Sequence, residues 1–177
     1  SEVSLDTRMR DAFLNREDLH KVTAGALLGV NAVEVTNEQR QRAKAVNFGL
    51  IYGQSAAGLR RYAEASYGVH MSSCEARRAR CDFFRAYPGV ATWQTSQCHR
   101  ASSGQLITTP CGRSAHHLHL AWKDIVQSVS APHGAKVRHV VCGAALSRVE
   151  REALNFPIQG GAAEVMLATL DILWHRL

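Results

Sequence analysis

Apolar residues in this chain recur at three- and four-residue steps over most of its length, the period of an amphipathic helix rather than of a strand. The spacing predicts an opening helix over residues 6–14. A second helix follows Arg16-Glu17-Asp18, whose acids suit a helix N-terminus, and ends by Gly29. Thr36-Asn37-Glu38-Gln39 has the capping-box pattern, in which the first side chain and the fourth each bond the other's backbone N–H. A third helix therefore begins there and runs to Gly53, a residue suited to the position just past a helix end. Residues 55–66 read as a short helix closed by the turn-prone Tyr67-Gly68. Ser72-Ser73-Cys74-Glu75 is a second capping box and opens a helix to about residue 87, stopped before Pro88. Another helix covers residues 90–101. Residues 104–109, the Pro110-Cys111-Gly112 turn and residues 113–120 are expected to form a β-hairpin. The stretch that follows contains SVSAPHGAK and reads as a loop, so residues 114–136 look inserted. Residues 143–154 are helical by spacing, and a last helix runs from about 161 to the end. The expected class is mainly α with a small β-hairpin, an α+β fold.

The chain is 177 residues long and 46% apolar, enough for a sizeable core. No run of eighteen apolar residues occurs, and the first residues, SEVSLDTRMRDAF, lack the layout of a signal peptide. A cytoplasmic protein is expected. The cysteines (Cys74, Cys81, Cys98, Cys111, Cys142) are odd in number and form no CxxC pair, which argues for free thiols over disulfides or a zinc site. A formal charge of +6, with arginines clustered at Arg60, Arg61, Arg77, Arg78, Arg80 and Arg85, favours a polyanionic partner. The same clusters also fit a solvated helix face.

The chemistry-bearing stretch is RQRAKAVNFGLIYG, residues 40–53. Arg40, Lys44, Phe48 and Tyr52 recur at steps of four, forming a gently winding stripe about 18 Å long on a helix. Ala43, Val46 and Leu50 fall elsewhere and can face a core. A ligand matching the stripe is anionic at one end and flat at the other, as a nucleoside triphosphate is. Arg40 and Lys44 suit phosphates through charge-assisted hydrogen bonds, in the helix half where the macrodipole also favours anions. Phe48 and Tyr52 suit the sugar and base. The same spacing fits an amphipathic helix with solvated cations and core aromatics.

RQRAKAVNFGLIYG resembles motif B of the family A DNA polymerases, the bacterial DNA polymerase I-like enzymes, at Arg40, Lys44, Phe48, Gly49, Tyr52 and Gly53. Other segments match in order. Asp18-Leu19-His20 with Thr23-Ala24 resembles the family's D-x-H-x-x-T-A, and the run from Phe84 to Val90 its Y-F-x-x-[FY]-P-x-V. Gly112-Arg113 resembles its G-R-R, and Asn155-Phe156-Pro157-Ile158-Gln159-Gly160 its N-x-P-x-Q-G. The resemblance implies the fingers subdomain of a right-hand polymerase with a short piece of palm: residues 1–154 fingers-like, with the nucleotide helix at about 37–52, and residues 155–177 the start of a palm-like helix. It implies that Arg40 and Lys44, the candidate catalytic residues, grip the phosphates of a deoxynucleoside triphosphate, with His20, Phe48 and Tyr52 completing the substrate site. It further implies that Asn155, Gln159, Arg151, Arg113 and Gly53 meet a DNA template-primer. Tyr62, Tyr67, Trp93, Trp122 and Trp174 read as core or interface residues. The 43 residues from Gly112 to Asn155 are more than the family pattern leads one to expect. They hold His116, His117 and His119, read as a surface loop near DNA ahead of a metal-binding tract.

Nucleotidyl transfer needs metal ions held by clustered carboxylates. None of the 15 Asp and Glu residues sits in the strand-like acidic context of the family's motifs A and C. The chain matches the region between them, so the resemblance implies Mg2+ bound by ligands outside it, in the remaining palm, and no primer extension by the chain alone. Thumb and possible exonuclease regions are further implied partners. A fragment of a phage-type single-subunit RNA polymerase, which shares the R-x-x-x-K…Y-G helix but usually lacks a Phe at the place of Phe48, is one alternative. A non-catalytic nucleic-acid-binding module is another.

Overall fold

The computed structural model describes residues 4–121 and 143–176, which fall into two compact units, Ser1–Gln94 and Thr95–Leu177.

The first unit is built around α3 (Asn37–Ile51), which packs against α2 (Leu19–Leu28), α4 (Ala56–Tyr67) and α5 (Ser73–Ala86). Both predicted capping boxes form. Thr36 and Gln39 bond each other's backbone N–H at the start of α3, as Ser72 and Glu75 do at the start of α5. The Ser72 backbone N–H, with Arg42 behind it, holds the Glu75 carboxyl down at about 2. Asp6 caps α1 (Thr7–Leu14), and its other carboxylate oxygen accepts from the Gly89 N–H at 2.9 Å, tying the start of the unit to its end. Ala45, Val46 and Leu50 of α3 enter a core with Met9, Leu59, Ala63, Phe83 and Tyr87. Each fully buried large side chain there contributes about 1.5–3 kcal/mol relative to exposure. The Tyr87 hydroxyl, 2.7 Å from the Thr23 hydroxyl, gives this core a polar tether between α2 and the end of α5. Thr23 itself donates to the Leu19 carbonyl at 2.8 Å, so Tyr87 is the donor in that pair.

Two features fix how α3 ends and how close α4 lies. Gln94, on α6 (Pro88–Ser102), donates its side-chain amide to the Leu50 and Ile51 carbonyls at 2.7 and 3.1 Å, satisfying acceptors left open at the helix end. Gly49 lets α4 approach: a Cβ there would lie 2.7 Å from Leu59 Cδ1.

In the second unit the expected hairpin is reduced to its turn. A single antiparallel bridge joins Thr108 and Ser114, and residues 116–121 are helical. Ala115, Leu118 and Ala121 all join one apolar cluster with Ile107, Val149 and Ala153. Their three-residue spacing is helical, and burial in that register overrides the strand-like turn signals before it. His116, His117 and His119 thus lie on helical turns instead of in a loop. The rest of the expected insertion, residues 122–136 with Trp122, lies outside the described residues.

The final helix, α7 (Gly143–Trp174), runs unbroken through Pro157, where the sequence suggests a break between two helices. The 109–113 turn packs across it. Arg113 donates to the Gly160 carbonyl at 3.3 Å, and a Cβ on Gly160 would lie 2.8 Å from Thr109 Cγ2. These contacts brace the stretch that proline weakens by removing a backbone donor. Beyond them Val165, Leu167, Leu170, Leu173 and Trp174 are exposed, so Trp174 is not a core residue of this unit. No helix of the described residues is long and apolar enough to cross a membrane.

Candidate nucleotide-binding face

Arg40, Lys44, Phe48 and Tyr52 all fall on or just past α3 and are half-buried, so their functional ends remain reachable. Phe48 and Tyr52 stack at 6.4 Å between ring centroids with 20° between planes. His20, from the first turn of α2, tilts against Phe48 at 5.8 Å. Residues separated in sequence by as many as 32 positions therefore share one face of the first unit, and α2 supplies its second wall. Gly53 follows α3 with φ +75°, a conformation that ends the helix without a side-chain penalty.

The cations are held differently. Arg40 donates Nε to Asp18 Oδ2 at 2.6 Å. Asp18 is the N-cap of α2 and accepts also from the His20 and Lys21 backbone N–H groups at 2.9 and 3.3 Å. Burial pushes the Asp18 carboxyl up, but these donors outweigh it and leave the group below its ordinary value, ionised at neutral pH. Because the pair engages only Nε, the two terminal nitrogens of Arg40 stay available for a second anion. Lys44 has no carboxylate partner among the described residues; its Nζ rests over the Tyr67 ring at 5.6 Å. Tyr67 in turn meets Tyr62 edge-on at 5.6 Å. Burial first, then the bond to Tyr67, pushes the Tyr62 phenol up to about 12.

Sequence reasoning missed Asn47. It lies on the inner side of α3, 1% exposed, with Nδ2 at 2.9 Å from Nδ1 of His20. Its signal was an amide set in the apolar run Ala-Val-Asn-Phe-Gly-Leu, where a buried polar group needs a partner. The role of Asp18 as the orienter of Arg40 was likewise invisible in spacing.

Of the residues matched to DNA contacts, Gly53 lies in the first unit, and Arg113, Arg151, Asn155 and Gln159 lie in the second. Arg151, Asn155 and Gln159 follow one another at four-residue steps along α7, with Arg151 and Gln159 exposed and Asn155 half-buried. The Asn155 side-chain oxygen is buried without a hydrogen-bond partner. Arg113 is engaged internally: Nε pairs with Glu164 at 2.9 Å and the guanidinium lies 5.7 Å from the Phe156 ring centre. His117 stands 4.0 Å from Glu152, and His119 places Nδ1 2.8 Å from the Gly104 carbonyl oxygen. Among the described residues no three His, Cys, Asp or Glu side chains are grouped as metal ligands.

The face brings together two cations, an imidazole and a stacked aromatic pair, side chains whose chemistry suits a flat anion. The model of DNA polymerase family A matches residues 1–173. DNA polymerase I of Aquifex aeolicus is 34% identical over 167 residues, covering 94% of this chain and 24% of that protein. DNA polymerase I of Caldicellulosiruptor bescii is 31% identical over 177 residues, covering all of this chain and 18% of that protein. Among solved structures, the POL domain of Pol1 from M. smegmatis, in complex with DNA primer-template and dNTP, is similar with a TM-score of 0.69 and 29% identity. That match covers 93% of this chain and 25% of the other. The chain thus spans about a quarter or less of the length of these relatives.

Proposed function

The chain belongs to DNA polymerase family A, and from that premise we propose that its α3 face binds the incoming deoxynucleoside triphosphate of a template-directed DNA polymerase. The observation that carries the reading is the assembly of Arg40, Lys44, Phe48 and Tyr52 on one half-buried face, joined by His20 from α2. Arg40, steadied through Nε by Asp18, meets phosphate oxygens with its terminal nitrogens. Lys44 leaves the Tyr67 ring, which it meets by a cation–π attraction, for the stronger field of the triphosphate. Phe48 and Tyr52 flank the sugar and the nascent base pair. Arg151, Asn155 and Gln159 on α7 meet the template-primer.

The described residues do not fit a catalytic metal site, so no chemical step is assigned to them. Their work is binding and orientation, which aligns the reacting phosphate for attack. The divalent ions of the reaction, Mg2+ in this reading, are held by carboxylates of the polymerase outside this chain. The chain alone therefore binds nucleotide and extends no primer; templated incorporation by the pure chain with Mg2+ overturns that part.

Fluorescence titration of the chain with dATP and with deoxyadenosine tests the site. A charge-assisted hydrogen bond contributes about 1.5–3 kcal/mol, so Lys44→Ala weakens dATP binding by about tenfold to a hundredfold. Deoxyadenosine binding is unchanged by it. Equal loss for both ligands, or none for dATP, refutes the assignment.

A further inference from the structure

We infer that Asn47 is a positioning residue: its buried side-chain N–H, donated to Nδ1 of His20, fixes the imidazole in the tautomer that carries its proton on Nε2, and so gives the triphosphate an aimed neutral donor beside Arg40 and Lys44. The inference rests on the nucleotide reading of the α3 face.

The direction of the bond follows from what each orientation strands. Asn47 is 1% exposed, and its Oδ1 is buried without a partner. Turning the amide over would set Oδ1 against the ring and leave both N–H donors of Nδ2 stranded. Buried orphan N–H groups are rarer than under-satisfied carbonyls, so the arrangement with Nδ2 toward His20 is the favoured one. The ring nitrogen it faces must then be an acceptor, which a neutral imidazole offers at only one nitrogen. With Nδ1 accepting, the proton sits on Nε2, which has no hydrogen-bond partner among the described residues.

A protonated ring would set N–H against N–H at Asn47. The charged groups around the ring are Asp18 on its own helix and Arg40 and Lys44 on α3. Burial, together with both cations and against Asp18, holds His20 below the usual histidine value. Phe48 packs against the ring and limits its swing. A neutral N–H near these two cations donates to a phosphate oxygen without adding a third positive charge to repel them.

The test is a double-mutant cycle on the full 177-residue chain, with dATP as probe. Asn47→Leu weakens dATP binding by about threefold to tenfold, part of one hydrogen bond to a charged group. In a His20→Ala background the same change costs nothing further, because the ring it positions is gone. An equal loss in both backgrounds overturns the inference, since a merely structural role is blind to His20. Nitrogen-15 spectra of the wild-type imidazole supply a readout that needs no variant to fold. An unprotonated Nδ1 is expected, and a proton on Nδ1 overturns the inference. Failure of the site reading looks different: dATP affinity then ignores Arg40→Ala and Lys44→Ala while the tautomer stays as described.

Discussion

Gly49→Ala probes the packing that presents the nucleotide face. In isolation the change should stabilise α3, since glycine inside a helix is about 1 kcal/mol less favourable than alanine. The surroundings reverse that sign. The new methyl would lie 2.7 Å from Leu59 Cδ1 and 3.4 Å from Tyr62 Cδ1, where ordinary contact begins at 3.4 Å. Leu59 is fully buried in the core of the first unit and cannot swing aside, so α4 must move instead. Overpacking of this kind costs about 1–3 kcal/mol, and an obstructed Leu side chain places the cost in the upper half. The net expectation is a loss of about 1–2 kcal/mol. Urea unfolding followed at amide signals of α3 and α4 reads this unit by itself. The double variant Gly49→Ala with Leu59→Ala should be less destabilised than the two single losses predict, because the second change removes the atom in the way. A Gly49→Ala chain as stable as the parent refutes the close-approach reasoning.

Further predictions concern charge. The Asp18 carboxyl lies below the 3.8 of a free aspartate in the folded chain, so its stabilisation is present above that value and is lost as pH falls through the folded one. Thermal melts should show the Asp18 contribution fully present and unchanging between about pH 7 and 5, and lost below about 4; Asp18→Asn, still a good helix cap, should fall less steeply in acid. Arg151→Ala should lower primer-template affinity and reduce the slope of log affinity against log salt by about one, the signature of a lost phosphate contact. An unchanged slope in that titration removes Arg151 from the DNA contacts.

What the sequence revealed was mostly local. Thr36 with Gln39 and Ser72 with Glu75 are three-residue relationships, and the helices they open began where those pairs placed them. The four-residue stripe placed Arg40, Lys44, Phe48 and Tyr52 together because helix geometry alone does so. What spacing could not show were contacts between helices. Asp18 meets Arg40 across 22 residues and Asn47 meets His20 across 27, each requiring the packing of α2 on α3. The hairpin failed for a related reason: turn residues marked 110–112 well, but the register of Ala115, Leu118 and Ala121 answers to a cluster that includes Val149 and Ala153. Pro157 signalled a break that contacts from the 109–113 turn hold closed.

A backbone amide shift map of the chain titrated with dATP tests the central claim most directly. The prediction is a set of saturating shifts confined to the first turn of α2 and to α3 from Arg40 to Gly53, with Lys44 and Phe48 among the largest. Shifts centred instead on the arginines of α5, or an unmoved α3 at saturating dATP, would contradict it.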